Sequence, residues 1–127
     1  MLLMQHDAAL ALMSFVLQFC NYLLYVYNNK GNLNSVLSEI SDITSKIITC
    51  NDLSEFENLI NQHETIIASV TKQTPVKALL FNDFEGSIKS LGAWGGDFVL
   101  ATSYKNPTSY FNEKGFKTVI PYMDMVL

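Results

Sequence analysis

The chain has 127 residues, 49% of them apolar and 16% charged, with a net charge of −4. That balance argues against global disorder and fits one domain with a real core. Every basic residue is a lysine and these are scattered, so the bidentate readers of phosphate and guanine are missing, which argues against nucleic acid as a partner.

Cysteine and histidine are also scarce. Cys20 and Cys50 stand apart without C-x-x-C spacing, and only His6 and His63 offer imidazole. No zinc site is expected, and free thiols in a reducing cytoplasm are the simplest reading.

Residues 1–21 read as an apolar, helical amino-terminal segment. The run 8–27, AALALMSFVLQFCNYLLYVY, is long enough to cross a bilayer. Gln18 and Asn21 interrupt it, no Lys or Arg precedes Lys30, and its last residues are β-formers. A buried helix followed by a strand therefore fits better than a signal peptide or a membrane span. The same apolar start would also suit a surface covered by another molecule. The strand is 22–27, YLLYVY, ended by the turn residues NNKGN.

From Asn34 the spacing becomes helical, with Val36, Leu37, Ile40, Ile43, Ile47 and Ile48 on one face and Glu39, Asp42 and Lys46 opposite. Asp52 can cap the next helix, and Glu55 stands three residues on, as in a capping box. Leu53, Phe56, Leu59, Ile60, His63, Ile66, Ile67 and Val70 form its stripe. His63 lies in phase with that stripe, and the expectation is a half-buried histidine bonded to a neighbour, not a ligand or base. Pro75 then opens a short helix, PVKALLF.

After NDFEG, the stretch 86–91 (GSIKSL) and the strand 97–103 (DFVLATS) lie on either side of a glycine-rich loop and are expected to pair as a hairpin. Asn106 and Pro107 start another short helix, Gly115 stops it, and 116–120 (FKTVI) is the last strand, closed by Pro121. Strand, helices, strand, strand, helix, strand is the order of an α+β split β-α-β, or ferredoxin-like, sandwich with extra helices in the first crossover. Two units follow: residues 1–21, and a domain at 22–127.

The glycine loop holds three of the chain's six glycines. Such a turn can admit a ligand or another backbone closely, form an anion-binding nest, or simply reverse the chain. It is no P-loop, since no Lys-Ser or Lys-Thr follows. It is no dinucleotide fingerprint either, since it opens a strand and not a helix. Asp97 would repel a phosphate held directly in it unless a cation or a donor intervened.

GAWGGDFVLAT resembles the third motif of the GHMP small-molecule kinases, approximately G-A-G-G-G-G-F-V-L-A-L. Gly92, Ala93, Gly95, Gly96, Phe98, Val99, Leu100 and Ala101 match in register. Trp94 and Asp97 depart from it and, within IKSLGAWGGDF, resemble the subgroup called GYDIA family GHMP kinases. LINQHETIIASV, TPVKALLF, YFNEKGFKTVIPY and LLYVYNNK are similar to further segments of that family's carboxyl-terminal domain, so the likeness covers 23–127 and leaves 1–21 outside.

The resemblance implies a carboxyl-terminal, ferredoxin-like half of an ATP- and Mg2+-dependent kinase for a small-molecule acceptor. In it Gly92, Ala93, Trp94, Gly95, Gly96 and Asp97 would border the nucleotide and the acceptor. Trp94 would wall the acceptor pocket or fill a domain interface, and Asp97 would orient a polar acceptor group or bond to turn N–H groups. The family's phosphate loop, magnesium ligand and catalytic carboxylate or lysine belong to the other half and have no counterpart in this sequence. The expected partner is accordingly an amino-terminal kinase domain or a second copy of the chain, and no catalytic or metal-ligating residue is assigned. The competing expectation is a stand-alone ferredoxin-like binding or dimerisation module without catalysis.

Overall fold

The computed structural model describes residues 2–5, 33–91 and 98–124. Its elements are β1 (Leu2–Gln5), α1 (Leu33–Thr49), α2 (Leu53–Thr71), α3 (Val76–Leu80), β2 (Ile88–Ser90), β3 (Phe98–Ala101), α4 (Thr108–Glu113) and β4 (Val119–Pro121). A single 3-10 turn, Tyr122–Asp124, follows. The fold is α+β. Its antiparallel sheet has the order β2-β3-β1-β4, with three helices between β1 and β2 and one between β3 and β4 among the described residues.

Leu2–Gln5 lies inside the sheet, where Met4 pairs with Val99 on one side and Val119 on the other. The apolar pattern of 1–21 predicted helix at these positions. A short apolar run has no period that separates a strand from a buried helix, and partner strands decide the outcome. The strand predicted at 22–27 and the apolar run 8–27 lie outside the described residues. No helix among the described residues is long and apolar enough to cross a membrane.

Local chemistry sets the helix ends. The Asp52 carboxylate accepts the Glu55 N–H at 2.8 Å, satisfying one of the unpaired donors of the first turn of α2. Asn106 does the same for α4, accepting the Thr108 N–H at 3.0 Å. At the other end of α4, Gly115 takes φ 91°. The Phe116 N–H returns to the Phe111 carbonyl at 2.9 Å and the Gly115 N–H to that of Asn112 at 3.0 Å, the paired bonds of a Schellman stop. This stop uses Phe116, so the last strand starts at Val119 and not at Phe116 as the sequence suggested.

The core forms on one face of the hairpin. Ile88 of β2 lies opposite Ala101 of β3, and both are buried with Val99, Phe81, Phe84 and Phe111. Phe81 meets Phe111 edge to face, with centroids 5.5 Å apart at 84°, the arrangement favoured by ring quadrupoles. Above the cluster, Tyr110 donates to the Asp83 carboxylate at 2.7 Å and Lys114 to the same oxygen at 2.9 Å.

The two predicted apolar stripes differ in burial. On α2, Leu59, Ile60 and Val70 are buried as predicted. On α1 only Ile43 is buried, while Leu37 and Ile48 of the predicted face are exposed. Among the described elements this helix packs chiefly against α2, and one helical neighbour covers only a narrow strip.

Candidate functional site

β2 and β3 form the expected hairpin, with Lys89 opposite Leu100 and Ser90 opposite Val99. The Leu91 N–H donates to the Phe98 carbonyl at 3.1 Å, closing the ladder at its neck. Gly92, Ala93, Trp94, Gly95, Gly96 and Asp97, the residues singled out from the sequence, lie outside the described residues and connect the two sides of this neck in the chain.

Three polar side chains of α2 fasten the hairpin. Glu57, Asn61 and Glu64 are spaced four and then three residues apart, so they fall on one face of the helix. The Thr102 hydroxyl donates to the Glu57 carboxylate at 2.6 Å and accepts the Ser87 N–H at 3.0 Å. Asn61 Nδ2 donates to the Ser87 hydroxyl at 2.7 Å. Glu64 Oε1 accepts the Ser90 N–H at 2.9 Å. The seam thus grips the start of β2, the end of β3 and the residue just before the neck.

Glu64 is only 4% exposed. Its second oxygen, Oε2, has no hydrogen-bond partner among the described residues and lies 3.5 Å from the Lys89 ammonium. Burying a carboxylate is costly unless charge and donors compensate it, and here the Ser90 N–H and Lys89 supply that compensation. Next to Glu64 on the helix, His63 has a buried Nδ1 without a partner among the described residues. His63 is half-buried as expected, and this nitrogen makes no hydrogen bond there. Burial, then the charge of Lys89, holds its pKa below the ordinary histidine value.

The chain enters β2 through Gly86, at φ 139°. A Cβ there would sit 2.0 Å from the Thr102 carbonyl oxygen, so only glycine lets the two backbones pass. Lys77 donates to the Gly86 carbonyl and ties α3 to the same turn.

This arrangement positions backbone. Its carboxylates hold an amide and a hydroxyl, and among the described residues no three of His, Cys, Asp and Glu are gathered where a metal could sit. Sequence reasoning missed Glu57, Asn61 and Glu64. Their helical spacing, beside the apolar stripe and not opposite it, was the available signal.

Comparison with known proteins gives no match for the chain: no family model, no curated protein and no solved structure corresponds to it.

Proposed function

We propose that the chain is the carboxyl-terminal portion of an ATP-dependent small-molecule kinase of the GHMP type. It contributes Gly92, Ala93, Trp94, Gly95, Gly96 and Asp97 beside the nucleotide and the phosphate acceptor. The observation that carries this reading is the in-register likeness of GAWGGDFVLAT to the third kinase motif, in a stretch whose flanks, Leu91 and Phe98, close a hairpin. The sheet order β2-β3-β1-β4, antiparallel throughout with helices in both crossovers, supports a ferredoxin-like split β-α-β unit.

The described residues do not themselves fit ATP or magnesium, since they gather no metal ligands and the sequence has no phosphate-cradling P-loop. In this reading both are held by an amino-terminal kinase domain, and phosphoryl transfer takes place there by positioning and electrostatic stabilisation. The role of this chain is support. Glycines let the backbone of the nucleotide-holding lobe come close, and α2 fixes the neck from which they extend. The chain by itself is expected to turn over no ATP.

The test begins with the coding region upstream of the chain. A phosphate-loop sequence of the Gly-Leu-Gly-Ser-Ser-Ala type is expected there, in the same or a shifted frame. The polypeptide it encodes, co-expressed with this chain, should consume ATP in the presence of small hydroxylated acceptors. Gly95→Val should abolish that turnover without changing the circular dichroism spectrum. No such upstream sequence, or robust ATP turnover by the chain alone, would overturn the reading.

A further inference from the structure

We draw no further inference here: the strongest candidate, the exposed face of α1 that carries Leu37 and Ile48, is an unpartnered apolar face among the described residues, and nothing in the structure shows what covers it.

Discussion

Glu64 and Ser90 stand 26 positions apart, yet the carboxylate of one accepts the backbone N–H of the other at 2.9 Å. The bond joins the middle of α2 to the last residue of β2 and blunts the edge of the sheet there. It also fixes the strand just before the glycine-rich segment. Because the Glu64 side chain is 5% exposed and Lys89 18%, the pair works in a partly desolvated setting.

Glu64→Ala leaves the buried Ser90 amide without its acceptor and Lys89 without its counter-charge, and is expected to cost about 2–4 kcal/mol. Glu64→Gln keeps an acceptor for Ser90 but leaves the Lys89 charge without its partner in a partly desolvated setting, and is expected to cost less than Glu64→Ala, about 1–2 kcal/mol. Urea unfolding of the two variants measures the difference. Equal losses would show that the Ser90 bond contributes nothing.

Gly86 and Gly115 both have positive φ, at 139° and 91°, but in different surroundings. At Gly115 an added Cβ meets nothing within 4 Å, so Gly115→Ala carries backbone strain alone, about 1 kcal/mol. At Gly86 the same methyl collides with the Thr102 carbonyl, and Gly86→Ala is expected to cost more than ~3 kcal/mol or to prevent folding. Thermal unfolding of the two variants separates strain from clash. Similar melting temperatures would contradict the close passage of Gly86 over Thr102.

The pH dependence of stability has a component from His63. In the unfolded chain His63 titrates near 6.5, and in the folded chain its pKa is lowered by burial and by Lys89. Above pH 6.5 both states are neutral there and the fold keeps its full stability. As pH falls through 6.5 the unfolded state takes up the proton first, so stability declines until the folded value is passed. Asp83 acts lower on the scale. Its carboxyl is held below 3.8, first by the Tyr110 hydroxyl and then by Lys114, so its contribution is lost only as pH falls through that lowered value. Between about pH 7.5 and about pH 5.5, His63→Leu should flatten the stability profile. An unchanged slope would remove His63 as its source.

The helix ends were legible because each depends on residues adjacent in sequence. Asp52, Asn106 and Gly115 were identified as caps and stop, and each acts as such. The capping box is half formed, since the Glu55 carboxylate lies 3.6 Å from Cys50 Sγ and turns toward that thiol. The hairpin was legible from its two flanking runs. The seam was not. Glu57, Asn61 and Glu64 have the letters of a solvated face, and only the strand that α2 lies against makes them interior. Leu2–Gln5 was misread because four apolar and amide residues cannot announce which strands will enclose them. Of the glycine-rich stretch, the described residues include only the two flanks, Leu91 and Phe98, joined by a backbone hydrogen bond.

Trp94 is the only tryptophan in the chain and stands within the glycine motif. Its fluorescence therefore tests the proposed contact of residues 92–97 with a nucleotide-holding lobe. In the isolated chain the indole is expected to emit as in water and to be quenched freely by acrylamide. With the amino-terminal kinase domain, ATP and Mg2+ present, emission should move to the blue and quenching should fall. A blue, unquenched indole in the isolated chain would contradict the kinase reading, because Trp94 would already be buried without a partner domain.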